Sequence, residues 1–264
     1  MSSDFSQQLR TAFRGWWREH KRAHGALAAA SLLVRELWGF VRDSTPERRR
    51  QRYGDMDYDW EQRVNTTSGA VSWRARLLGV FHSPYQPTEP ALFREMMSAL
   101  PIDFREFTFI DIGSGKGRTL LMASQFPFRK IVGVELILEL HQAAEENVRA
   151  FSSGSTRAIS SQNGPTPRIE TLCEDARQFV LPETPLVVYL FNPLPKEGLK
   201  RVIGNLEDSF RRVPRPIWIV YHNPLLESVL TESPMMARET TKPEYSVFKI
   251  KPQSETKDTH LDGK

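Results

Sequence analysis

The sequence predicts a doubly wound α/β fold with a mostly parallel sheet, preceded by a basic helical extension. Two observations carry this. From Phe107 onward, short apolar runs alternate with helix-spaced segments, the pace of strand–helix–strand units with right-handed crossovers. The first run, "FTFIDIG", ends in glycines and leads directly into "RTLLMASQF", the strand–turn–helix setting in which a glycine motif has chemical meaning.

The elements follow in order. Residues 5–24 read as a basic helix with Phe5, Leu9, Phe13 and Trp16/Trp17 at helical spacing. A second helix is expected from Gly25 to Arg42, with Leu33, Leu37 and Val41 recurring every four residues and "STP" ending it. The polar stretch "PERRRQRYGDMDYDWEQ" reads as a linker or loop-rich arm. The aromatics of "DMDYDW" can fold onto the core or stack on a ligand, with packing the favoured role. Strands follow at "FTFIDIG", "KIVGVE", "RIETLCED", "PLVVYLFNP" and "PIWIVYHNP", and the alternating "EYSVFKI" pairs at an edge. Helices are expected at "LILELHQAAEENVRAF", with Leu136, Leu140, Ala144 and Val148 on one face, and at "KEGLKRVIGNLEDSFRRV". The Ser/Gly/Pro-rich stretch 152–166 is a loop. The expected organisation is an extension over 1–80, a catalytic domain over 81–252 and a disordered tail over 253–264.

Charge is distributed unevenly. The chain of 264 residues carries a net +4. Residues 1–80 hold 14 Lys and Arg against 9 Asp and Glu, and the remainder 22 against 23. The basic excess therefore belongs to the extension, which can serve as a solvated face or meet nucleic acid, anionic lipid or an acidic protein. The single cysteine, Cys173, excludes an internal disulfide or a thiolate zinc site. It reads as a core residue and points to a reducing, cytoplasmic setting. The most apolar early run, Ala26 to Val34, ends at Arg35 and Glu36, short of the roughly 20 residues a spanning helix needs. Peripheral membrane contact stays open.

The segment with chemistry is Asp111-Ile112-Gly113-Ser114-Gly115-Lys116-Gly117-Arg118. Glycines at 113, 115 and 117 let backbone lie against a ligand, and the helix start beyond is expected to offer N–H groups to a carboxylate. An acid two residues before the first glycine would repel a pyrophosphate and suits a ligand bearing an ammonium or sulfonium group. This D-x-G-x-G-x-G pattern resembles the first motif of class I S-adenosylmethionine (SAM)-dependent methyltransferases. The stretch from Tyr85 to Tyr221 resembles a bacterial group of such enzymes whose substrate is undefined.

The resemblance implies a Rossmann-like, seven-stranded sheet with an antiparallel C-terminal strand, SAM as cofactor, and Asp111, Gly113, Ser114, Gly115 and Gly117 around its methionine part. It gives Glu135, 22 positions after Gly113, to the ribose hydroxyls. Asp175 would receive the adenine amino group and the Ala176 N–H a ring nitrogen, with Glu174 as the alternative. Asn192-Pro193 resembles the fourth motif of amino-group methyltransferases, where the Asn side chain and Pro carbonyl hold the target nitrogen. Here Leu194 and Pro195 stand where that motif has Pro and an aromatic, and a purely structural Asn–Pro turn reads equally from these residues. Tyr85 and Thr88, in "YQPT", resemble a segment that closes over the cofactor, as in lysine-modifying methyltransferases outside the SET type.

His222, in "VYHNP", falls at the catalytic edge as a base or a pocket wall. His82 has the same ambiguity, and His141 reads as packing or surface. No spacing suggests a metal. The expected activity is methyl transfer to an unidentified acceptor, a nitrogen of a protein or small molecule being favoured. The competing readings are a SAM-binding scaffold of weak activity, a nucleic-acid methyltransferase using the basic arm, and a nucleotide-dependent oxidoreductase, against which Asp111 argues.

Overall fold

The structure is a computed structural model that describes residues 10–11, 13–18, 20–22, 25–43, 56–66, 88–153 and 168–252. Seven strands form one sheet: β1 (Thr108–Ile112), β2 (Lys130–Glu135), β3 (Arg168–Cys173), β4 (Leu186–Leu190), β5 (Ile217–His222), β6 (Met236–Thr241) and β7 (Tyr245–Ile250). Their order is β3-β2-β1-β4-β5-β7-β6. The first five are parallel, and β7 runs antiparallel to both β5 and β6. The helices are α1 (Ala26–Asp43), α2 (Met56–Gln62), α3 (Pro90–Ser98), α4 (Arg118–Ala123), α5 (Leu138–Ser153), α6 (Lys196–Arg212) and the short α7 (Ser228–Thr231). The described residues between 10 and 22 are also helical.

The sheet buries both faces, which is why β1, β4 and β5 read as continuous apolar runs. Alternate residues feed two cores. Ile110, Val188 and Ile219 meet one stripe of α6 made by Leu199, Val202, Ile203, Leu206 and Phe210, an i, i+3, i+4, i+7 pattern. Phe109, Tyr189 and Val220 meet Phe93, Met96 and Met97 of α3 on the other side. Arg215 fastens the turn before β5. Its guanidinium donates to the carbonyls of Thr184 (2.8 Å), Ser209 (3.0 Å), Val213 (2.9 Å) and Pro182 (2.6 Å). In an open sheet of this kind ligands sit beyond the strand C-termini where the winding direction reverses. Here that point lies between β1 and β4.

Several expectations change. The β6 segment "MARETT" was not recognised as a strand. It is an edge strand with mixed burial and a bulge at Arg238/Thr240, so it lacks both apolar and strictly alternating patterning. Part of the presumed linker is helical: α2 carries Tyr58, which is buried in the α3-side core. Leu136 precedes α5 and is exposed. Cys173 ends β3 exposed, not in the core, because β3 is the other edge and only half covered. The extension boundary at 80 and the tail over 253–264 lie outside the described residues.

Candidate active site

A cavity of about 230 Å³ opens at the β1/β4 switch point. It is lined by Thr88, Asp111, Gly113, Ser114, Gly115, Glu135, Asp175, Ala176, Asn192 and Pro193, ten of the expected site positions. Gly117 and His222 do not line it. Tyr85 and His82 lie outside the described residues. Among the described residues no group of His, Cys, Asp and Glu could hold a metal ion.

Asp111, on β1, is 3% exposed. Its carboxylate accepts the Thr119 hydroxyl from the first turn of α4. Burial pushes its pKa up to about 7, against the Thr119 hydrogen bond and with help from Glu135. Glu135 ends β2. Its Oε2 accepts the Gly115 N–H and its Oε1 the Ile137 N–H, each at 2.8 Å. Burial also raises the Glu135 pKa. Two acids are thus held beside one cavity, short of water, in an environment that a positive ligand would relieve.

The glycine turn is built inward. Gly113 and Ser114 donate their N–H groups to the Val134 carbonyl (2.8 and 3.1 Å), Gly115 to Glu135, and Gly117 to the Ser114 carbonyl (2.8 Å). These four amides are thus spent inside the fold, those of 113, 114 and 115 on β2 and that of 117 within the turn. The helix beyond spans only six residues. Gly113 has φ +80°, and a Cβ there would lie 2.6 Å from the Cβ of Pro193. Its bareness therefore serves the meeting of the β1 and β4 loops as much as any ligand.

Sequence reading missed two neighbours, Gly133 and Tyr189, and gave no separate role to Arg118 at the end of the glycine segment. Gly133, inside β2, leaves room for Ser114, whose Oγ would lie 2.8 Å from a Cβ at 133. Arg118 is 2% exposed and lines the cavity, its guanidinium 4.6 Å from the Tyr58 ring centroid. A glycine in a strand and an arginine beginning a helix carry no distinctive signal alone. Tyr189 also lines the cavity. Its place in the apolar run "PLVVYLFNP" marked only a buried strand.

On the β4–β5 side, the Tyr189 hydroxyl lies 2.8 Å from Thr88 Oγ1 and 2.7 Å from His222 Nδ1. His222 packs against Phe191, ring centroids 3.9 Å apart. Burial lowers its pKa to about 4, which leaves it neutral near pH 7 and a weak base. Asn192 sits at φ +45°. Its Oδ1 accepts the Tyr221 hydroxyl (2.9 Å) and its Nδ2 donates to the Asn223 carbonyl (2.7 Å). Asp175 holds Arg177 through both carboxylate oxygens. His141 is half-buried in α5, facing Glu145 at 4.0 Å.

The sequence matches no protein-family model and has no significant match among curated proteins. Among solved structures it is similar to the ribosomal protein L11 methylase of Lactobacillus delbrueckii subsp. bulgaricus, at 15% identity and TM-score 0.39, over 62% of this chain and 77% of that one. It is also similar to an RNA methyltransferase from Salinibacter ruber in complex with S-adenosyl-L-homocysteine, at 16% identity and TM-score 0.40, over 62% and 92%. A SAM-dependent O-methyltransferase of Thermotoga maritima aligns at 14% identity and TM-score 0.45, over 63% and 67%. The sheet itself, five parallel strands with an antiparallel seventh between the fifth and sixth, is the arrangement implied by the resemblance drawn from the motifs. The chain has a doubly wound, Rossmann-like fold of that arrangement. What the cavity binds is set by its own residues.

Proposed function

We propose that the protein is a SAM-dependent methyltransferase acting on a nitrogen of a protein or small molecule. The observation that carries this is the pair Asp111 and Glu135, two buried carboxylates on the cavity wall, suited to a cationic sulfur nucleoside and hostile to a pyrophosphate. The residues fit that cofactor in other respects. Glu135 spends one acceptor site per oxygen on backbone. A carboxylate has about four such sites, so it can still take ribose hydroxyls. Glu174, Asp175 and Ala176 form the wall where the base would lie.

When bound, SAM supplies a methyl carbon activated by a sulfonium. The chain's part is placement. Asp111 and Glu135 hold the positive end in a site where charge is poorly screened. Asn192 and Pro193, with Phe191, Leu194, Asn223 and Leu225, form the end left for the acceptor. Asn192 Oδ1 already accepts from Tyr221, and its second lone pair is the one available to a target N–H. His222 lies behind the wall and supports Tyr189 and Phe191, which line it. Aligning the acceptor with the methyl carbon is itself a large part of such a catalyst's effect.

A nucleic-acid acceptor is the second reading. Arg10, Arg14, Arg18, Lys21 and Arg22 are exposed on the N-terminal helix, beside the stacked pairs Phe13/Trp17 and Trp16/His20, a mixture that suits a phosphate backbone with stacked bases. Incubation of a lysate with methyl-labelled SAM, followed by nuclease or protease treatment, sorts the acceptor classes. Label lost to protease, or found in small molecules, supports the first reading. Label lost to nuclease supports the second. No label above that of an Asp111→Ala control would contradict both.

A further inference from the structure

The cavity carries both signs of charge. Asp111 and Glu135 stand on the wall made by β1 and β2, and Arg118 begins α4 on the same lining. A cavity lined by two buried acids and a buried arginine matches a zwitterion, such as the ammonium and carboxylate of an amino-acid head. The four turn amides at 113, 114, 115 and 117 point inward to β2 or into the turn itself. Arg118 is the one basic residue among the described residues that line the cavity, and a guanidinium is well matched to a ligand carboxylate.

Arg118 is positioned from outside the catalytic domain as the sequence delimits it. Tyr58, on α2, is 8% exposed and presents its ring face to the guanidinium at 4.6 Å, within the range of a cation–π contact. The segment bearing Tyr58 is fastened behind the glycine turn. Asn65 N donates to Asn147 Oδ1 (2.7 Å), Asn147 Nδ2 donates to the Asn65 carbonyl (3.0 Å), and the same Nδ2 donates to the Lys116 carbonyl (3.0 Å). Asp59 accepts the Thr66 N–H at 2.8 Å and also its hydroxyl. Residues 56–66, α5 and the glycine turn thus share one set of hydrogen bonds.

Resting on the methyltransferase reading, we infer that Arg118 binds the carboxylate of the cofactor's amino-acid part, and that Tyr58 of the N-terminal segment is the residue that positions it. The segment over 56–66 is therefore part of the cofactor site and not only a tether for the basic helix.

The test is calorimetry of the full chain with two ligands that share a neutral thioether nucleoside: S-adenosylhomocysteine, which has the amino-acid head, and methylthioadenosine, which lacks it. The wild type should prefer the first. Arg118→Met should weaken S-adenosylhomocysteine by about 10- to 100-fold, the worth of a charge-assisted hydrogen bond, and leave methylthioadenosine within about twofold. Tyr58→Ala should reproduce part of that selective loss, and Tyr58→Phe should restore wild-type affinity, since the ring face makes the contact. Arg118→Lys, which keeps charge and bulk, should fall between, and serves if the Met variant does not fold. Equal losses for both ligands, or no loss in the Arg118 variants, would overturn the inference and leave the methyltransferase reading standing. Failure of the wild type to bind either ligand would overturn both.

Discussion

Glu135 Oε2 and the Gly115 N–H meet at 2.8 Å, so an acid at the end of one strand holds the glycine turn of its neighbour. The other oxygen caps Ile137 ahead of α5. The sequence implied a ribose ligand at this position; the structure adds that the same carboxylate shapes the turn. Glu135→Gln should therefore lower SAM affinity by at least about tenfold, since an amide oxygen can serve only one of the two N–H donors while its NH2 faces the other. Calorimetry measures this, and amide exchange over residues 113–117 should quicken in the variant. Unchanged affinity and exchange would detach Glu135 from the turn.

Asp111 gives the site a pH dependence. Its folded pKa of about 7 lies above the unfolded value of about 4. Between those values the folded chain keeps a proton that the unfolded chain has released. Asp111 therefore contributes stability that is fully present below about pH 4 and lost as pH rises through about 7. A cationic ligand selects the ionised form. SAM affinity should rise by up to about tenfold per pH unit toward pH 7 and then level, with proton release on binding below that point. Titrations in buffers of different ionisation enthalpy read this directly. Asp111→Asn should bind weakly with a flat profile; a wild type whose affinity is flat from pH 5.5 to 8 would contradict the assignment.

Asn192 is engaged by two hydrogen bonds and a left-handed backbone. Asn192→Ala should destabilise the protein by about 2–4 kcal/mol, from the buried Tyr221 hydroxyl left without its acceptor and from a Cβ at positive φ without a local polar partner. Urea unfolding should show it, with SAM binding retained below the transition. A variant as stable as the wild type would mean that the turn relaxes without the amide and that Asn192 is free to act on substrate alone.

Arg215 is the strongest structural anchor outside the site. Five hydrogen bonds from its guanidinium reach four carbonyls and Ser209 Oγ. Arg215→Lys cannot reproduce that planar fork. It should cost about 3 kcal/mol by urea unfolding, within the range for a broken buried network, and leave ligand affinity untouched. A loss under about 0.5 kcal/mol would show that water replaces the guanidinium.

The parts of this molecule that sequence reading reached are those where one residue type has few alternatives. The runs "FTFIDIG" and "PIWIVYHNP" are buried on both faces and sit at the sheet centre, so their patterning is unambiguous. The glycine turn and its acid were legible because bare backbone after a strand has a narrow range of uses. The edges were not: β6 is half-solvated and bulged, and Cys173 ends the opposite edge in solvent. Tyr58 packs on the core as its segment led one to expect, but its meeting with Arg118, 60 residues further on, has no local signature. His222 occupies the expected strand end, but its ring turns to Tyr189 and Phe191, a choice made by tertiary packing.

The most direct measurement is a calorimetric titration of the wild type and Asp111→Ala with SAM and, separately, with NAD. The account predicts one saturable SAM site in the wild type, no detectable SAM binding in Asp111→Ala, and no NAD binding in either. SAM bound equally well by both proteins, or NAD bound in place of SAM, would contradict it.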